Sequence, residues 1–282
     1  MKIVVMKFGG TSVADIGRIE NVASIINENY KKYKLVVVLS AMAGATNDLQ
    51  KLIDQVDHSY SKENDLVLTS GEQVSIGLLS MVLNKMKIKS IPLLGWQVPI
   101  ITDSSFEKAK ILNINNKNIL KYLTEYDVIV LAGFQGINTD GKITSIGRGG
   151  SDTTAVAIAS SLKAERCDIF TDVEGVYSGD PNIVKNAKKI DKISYEEMLE
   201  MSSMGAKVLQ ARSVELAMKN NLTLQVLSSL TKREGTFIVN EKKLIEKEVV
   251  SGVSYCKDES KITISGIPDK PGIAAKIFRI LS

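Results

Sequence analysis

Ile3-Val4-Val5-Met6-Lys7-Phe8-Gly9-Gly10 is an apolar run interrupted by one lysine and stopped by two glycines. It reads as a buried strand that ends in a tight turn. Ile16, Ile19, Val22, Ile26, Tyr30 and Tyr33 follow at spacings of three and four, one face of a helix. Residues 35–39 form a second buried strand, β-branched and bounded by small residues. Further strands are predicted at 90–94, 127–131, 168–171 and 223–227, and helices at 71–85, 153–163 and 206–219. Short strands alternating with longer helices predict a mainly parallel sheet covered on both faces. Ligands in such sheets bind beyond the carboxyl ends of the strands.

The 282 residues are 44% apolar and 24% charged, enough for one large α/β domain with a small appendage. Lysine and arginine number 36 against 32 acids, a net +4. Basic residues are interspersed with acids, as in Glu241-Lys242-Lys243, which argues against nucleic acid and suits an anionic small molecule. Cys167 and Cys256 form no CxxC pair, and His58 is the single histidine, so no zinc set can be assembled. Two free thiols, no signal-peptide core and no apolar run near a membrane-spanning length predict a cytoplasmic chain without membrane contact.

Residues 240–260, rich in lysine and glutamate at their start, read as a linker after a catalytic unit over 1–239. Residues 261–266 then read as a strand, Pro268-Asp269-Lys270-Pro271-Gly272 as a loop, and 273–281 as a helix. A single strand and helix cannot make an independent core.

Five segments carry chemistry. Glycines behind Lys7 let backbone amides approach a polyphosphate, whose charge the lysine could neutralise. That fragment alone reads at least as readily as a tight turn with a solvated lysine. In Ser145-Ile146-Gly147-Arg148-Gly149-Gly150-Ser151-Asp152-Thr153-Thr154, a glycine-flanked arginine leads into a helix start, an anion site with a planar fork. Capping would account for Ser151 or Asp152, but not for Arg-Gly-Gly in front. Asp152 could reach Mg²⁺ or position reacting groups. Thr171-Asp172-Val173-Glu174-Gly175-Val176-Tyr177-Ser178-Gly179-Asp180-Pro181-Asn182 is either an adenine pocket or a surface loop. Glu72, in the first turn of a helix, reads as a dipole partner. Lys207, near a helix start, is disfavoured by the dipole unless an anion binds.

Together these segments resemble the aspartate kinases of the amino-acid kinase superfamily. The matching text is KFGGTSV at 7–13, VVVLSAMAGATNDL at 36–49, TSGEQVS at 69–75, GFQGI at 133–137, GRGGSDTTA at 147–155, TDVEGVYSGDP at 171–181 and SMGAKVLQARS at 203–213. The resemblance implies a three-layer α/β/α sandwich around a mainly parallel, eight-stranded sheet. It implies transfer of the γ-phosphoryl of ATP, with Mg²⁺, to the β-carboxylate of L-aspartate, toward lysine, threonine and methionine. Lys7 and Asp152 would be catalytic. Lys7, Phe8, Gly9, Gly10, Thr171, Asp172, Tyr177, Asn182, Lys207 and Val208 would bind the nucleotide. Thr46, Glu72, Arg148, Gly149, Gly150 and Ser151 would hold aspartate, Arg148 on its α-carboxylate and Glu72 on its α-ammonium.

Two positions depart from the family pattern: Asn182, where arginine is frequent, and Gln210-Ala211, where His-Pro is frequent. The tail resembles the start of an ACT domain, of which only the first strand and helix are present. Effector control is therefore expected to be absent or incomplete unless a second chain supplies the rest, and a homodimer is expected. Within the superfamily, glutamate, N-acetylglutamate, carbamate or a nucleoside monophosphate could replace aspartate. A non-catalytic amino-acid sensor is the reading from another class, opposed by intact Lys7, Asp152 and Lys207.

Overall fold

The computed structural model describes residues 2–56, 62–206, 208–243 and 251–254, with Gly272, Ile273 and Arg279. Apart from those three residues, the predicted partial ACT unit at 261–282 lies outside the described residues, as do most of the linker, Lys207, His58 and Cys256.

The opening run is β1 (Ile3–Phe8), and α1 (Ile16–Asn29) follows it. Then come β2 (Lys34–Leu39), α2 (Ala45–Val56), α3 (Lys62–Leu68), α4 (Ser70–Lys85) and β3 (Ser90–Leu93). The middle of the chain holds β4 (Ile100–Thr102), β5 (Ile111–Ile114), α5 (Asn116–Glu125), β6 (Val128–Ala132), β7 (Gln135–Ile137) and β8 (Ile143–Ser145). The last third contains α6 (Gly150–Ser161), β9 (Arg166–Thr171), β10 (Lys192–Ser194), α7 (Tyr195–Ser203), α8 (Ala211–Lys219), β11 (Leu224–Ser228) and β12 (Thr236–Val239).

Eight strands form one sheet in the order β10-β12-β11-β9-β1-β2-β6-β3. Every pairing is parallel except β11 with β12, so β10 and β12 run against the other six. The central strands are buried on both faces, as their β-branched composition requires. One face carries Val5, Val36, Val38, Ile129 and Ile169 against apolar residues of α5, α6, α7 and α8. The other carries Val4, Met6, Val37 and Val130 against α1 and α4. The expected three-layer α/β/α architecture is therefore present.

One feature was not expected, and two expectations need correction. A second sheet, ordered β5-β4-β7-β8, sits beside the main one. Its strands have three or four residues and too little alternation to be read from sequence. The helix expected over 206–219 begins only at Ala211, and residues 204–206 follow the end of α7 instead of opening a helix. Lastly, Lys62–Lys85 is a helical stretch long and apolar enough for a membrane span by composition alone. Half of its most apolar window is buried, and Ile76, Leu79 and Leu83 pack beneath the sheet, which accounts for the composition.

Alternation along β1 places Lys7 on the same face as Val5, the face covered by α6. Close approach of α6 depends on Gly133, where an added Cβ would lie 2.7 Å from Ser151 Cβ and 2.9 Å from Leu39 O. Gly133→Ala should lower unfolding stability by about 1–3 kcal/mol in denaturant titration, the usual range for overpacking. An unchanged midpoint would show that α6 can retreat freely.

Candidate active site

The structure unites the two charges that the sequence leaves far apart. Lys7 Nζ lies 2.6 Å from Asp152 Oδ1, with both side chains about nine-tenths buried. Strand alternation aims Lys7 at α6, and Asp152 stands in the first turn of that helix. The residue capping α6 is Gly149, in left-handed conformation at φ 67°, so neither Ser151 nor Asp152 is the cap. Gly147, at φ 80°, is left-handed too, and the two glycines carry the exposed Arg148 between them.

A cavity of about 290 Å³ opens beside this loop. Thr46, Glu72, Arg148, Gly149, Gly150 and Ser151, the whole expected amino-acid set, line it together with Gly10 and the 40–44 turn. Ser40 Oγ and Ser151 Oγ are hydrogen-bonded at 2.8 Å. Phe134, another lining residue, adopts φ 65° and donates its N–H to Thr154 Oγ1 at 3.2 Å.

Glu72 is the most consequential lining group. It is 3% exposed, and its Oε1 accepts the Ala41 N–H at 3.0 Å. Its Oε2 is buried with no hydrogen-bond partner among the described residues. Burial pushes the carboxyl up to about 7, against the opposing effect of the Ala41 N–H. A dipole partner at a helix surface would not be sealed in this way. The geometry calls for a cationic ligand.

The expected nucleotide residues are placed less uniformly. Phe8 is wholly buried and stacked on Phe170, with ring centroids 4.5 Å apart, so only its backbone can face a ligand. Gly9 donates its N–H to Phe170 O at 3.3 Å, and the pairing of β1 with β9 sets Thr171 near the same rim. Thr171 Oγ1 donates to Asp172 Oδ1 at 3.0 Å. Tyr177 is half-buried and bridges to Lys189, Asn182 is exposed, and Val208 packs on the core. Lys207 lies outside the described residues.

Three residues escaped the sequence reading. Ser40 lines the cavity, and its only signal was membership of the 36–49 match. Asp65 is fully buried, and Arg212 reaches backbone carbonyls of distant loops. Among the described residues, no three His, Cys, Asp or Glu side chains cluster as a metal site.

Residues 2–228 match the amino acid kinase family. Aspartate kinase of Pseudomonas putida is 50% identical over 289 aligned residues, covering all of this chain and 69% of that protein. This chain belongs to the aspartate kinases. Aspartokinase of Bacillus sp. MGA3 is 46% identical over 284 residues, with 69% of its length covered. Among solved structures, Escherichia coli aspartokinase III in complex with aspartate and ADP is 29% identical with a TM-score of 0.77, over 85% of this chain and 65% of that one. The Synechocystis aspartate kinase is 42% identical with a TM-score of 0.74, over 84% of this chain and 40% of that one. Uridylate kinase of Archaeoglobus fulgidus, 20% identical at a TM-score of 0.60, shares the fold. Family membership makes the chain an ATP-dependent phosphotransferase of amino-acid biosynthesis.

Glu72 yields a pH prediction. Its folded pKa, about 7, lies above the unfolded value near 4.5, so stability falls as pH rises across that window. Glu72→Gln should therefore stabilise the ligand-free chain by roughly 2–3 kcal/mol at pH 8, with the gain vanishing near pH 4. Denaturant titration at the two pH values checks this, and a pH-independent gain would contradict it.

Proposed function

We propose that the cavity holds L-aspartate and that the chain moves the γ-phosphoryl group of ATP onto its β-carboxylate. The observation carrying this reading is the pairing of opposite charges across one cavity, with Glu72 buried and half-satisfied on one side and Arg148 on the other. Arg148 pairs with the α-carboxylate through its planar fork, and Glu72 accepts the α-ammonium. An N-acylated amino acid, a carbamate or a nucleotide would leave Glu72 uncompensated, which disfavours those acceptors.

The β-carboxylate is ionised at neutral pH, so it attacks without a general base. One carboxylate oxygen forms a bond to the γ-phosphorus as the bond to the β–γ bridging oxygen breaks, giving ADP and 4-phospho-L-aspartate. Lys7 offsets charge spreading over the phosphoryl oxygens, and Asp152, 2.6 Å from its ammonium, holds it in position. Gly9 and Gly10 let the backbone come close to phosphates. Thr171, Asp172, Tyr177 and Asn182 form the adenosine side, completed by Lys207 and Val208. Mg²⁺ would be carried chiefly by the phosphates and water.

On the same reading, residues 1–239 form the catalytic unit, 240–260 a linker and 261–282 the beginning of an ACT domain. The assembly is a cytoplasmic homodimer, and a second chain could supply complete ACT domains.

Incubation with aspartate, ATP, Mg²⁺ and hydroxylamine should yield aspartyl hydroxamate. A folded, ATP-binding protein that yields none would defeat the assignment. Arg148→Lys should raise the KM for aspartate roughly tenfold or more while that for ATP stays within about twofold, because a point charge replaces the fork. Equal effects on both substrates would remove Arg148 from the amino-acid site.

A further inference from the structure

Asp65 is completely buried in α3, away from the cavity lining, yet its carboxylate is saturated by groups from two distant stretches. Oδ2 accepts the Ser145 N–H at 2.7 Å, and Oδ1 accepts the Ser145 hydroxyl at 2.7 Å. The Glu107 N–H reaches both oxygens, at 3.1 and 3.2 Å. Ser145 is the last residue of β8, three positions before Arg148. Glu107 occupies a left-handed turn at φ 64°, and its carbonyl would lie 2.7 Å from a Cβ added at Gly147. The carboxylate thus pins both the base of the Arg148 loop and the turn packed against it.

Arg212 grips the same two stretches from α8. Its Nη1 donates to Ile146 O at 2.8 Å and its Nη2 to Ala109 O at 2.9 Å. The Ala109 N–H itself donates to Ser145 O at 2.9 Å, closing the brace. The link extends to the opposite wall of the cavity. Thr69 caps α3 onto Asp65, donating both its N–H and its hydroxyl to the Asp65 carbonyl, and α4 with Glu72 begins at the next residue. One helical stretch therefore fixes Glu72 directly and the base of the Arg148 loop through a buried carboxylate.

We propose that Asp65 is a positioning residue that sets the reach of Arg148 toward the amino-acid carboxylate, with Arg212 bracing the same loop from the other side. The proposal rests on the aspartate reading of the cavity given above. Fork recognition tolerates little displacement, so a shift of the loop base should weaken aspartate capture before it touches the nucleotide.

The test uses the full chain carrying Asp65→Asn, with folding checked by near-ultraviolet circular dichroism. The amide places donors against the Ser145 or Glu107 N–H and cannot accept the full set. The KM for aspartate should rise roughly tenfold, with kcat and the KM for ATP changed by less than about threefold. Combined with Arg148→Lys, Asp65→Asn should add little, since both act through one fork. Arg212→Lys, which can reach only one of the two carbonyls, should shift the aspartate KM in the same direction. A folded Asp65→Asn protein with unchanged aspartate KM, equal losses for both substrates, or additivity with Arg148→Lys would overturn the proposal. If Asp65→Asn does not fold, Arg212→Lys decides by the same criteria. Wild-type protein run alongside separates the two ideas. Hydroxamate from wild type with a flat variant counts against Asp65 alone, and no hydroxamate from wild type removes the aspartate reading and this proposal together.

Discussion

The close pair of Lys7 and Asp152 is the constraint around which the molecule is arranged. Two opposite charges buried at the end of the central strand are weak grounds for stability, because desolvation offsets most of their attraction. They require the carboxyl end of β1 and the first turn of α6 to lie side by side. Small residues make that possible: Gly133 admits Ser151, and a side chain at Gly150 would meet Phe134. Strand alternation, helix start and crowded glycines all serve one geometry.

Much of this was legible in the sequence. The central strands are apolar on both faces and β-branched, α1 carries a clear helical stripe, and α4 and α6 are apolar over helical lengths. The second sheet was not legible, since β4, β7 and β8 have only three residues each. The arginine-glycine loop announced itself because glycines on both sides of a charge have few structural uses. Glu72 was undervalued, because an acid in a first turn looks the same whether exposed or sealed; only the packing of Ala41 and the cavity around it tells the difference. Asp65 gave no signal, and Arg212 only its place in the 203–213 match, for a related reason. Their partners are backbone atoms and a serine 42 to 103 positions away, which leave no local pattern.

The site also separates two kinds of contact. The residues expected to hold aspartate share one cavity, whereas the described residues expected to bind the nucleotide, Gly10 apart, lie outside its lining. The first group depends on a rigid pocket, with a buried carboxyl held near neutrality by its surroundings. The second depends on backbone approach, which is why Phe8 can belong to the core with its ring wholly enclosed.

The reversed direction of β10 has its own effect. Like β12, it runs against the other six strands and finishes at the far side of the sheet, so α7 must travel back and arrives at the rim by its carbonyl end. α6, whose first turn carries Asp152 beside the end of β1, presents its amide end there instead. The described residues that follow, Met204 to Ala206, thus inherit partial negative potential from the carbonyl end of the helix they leave.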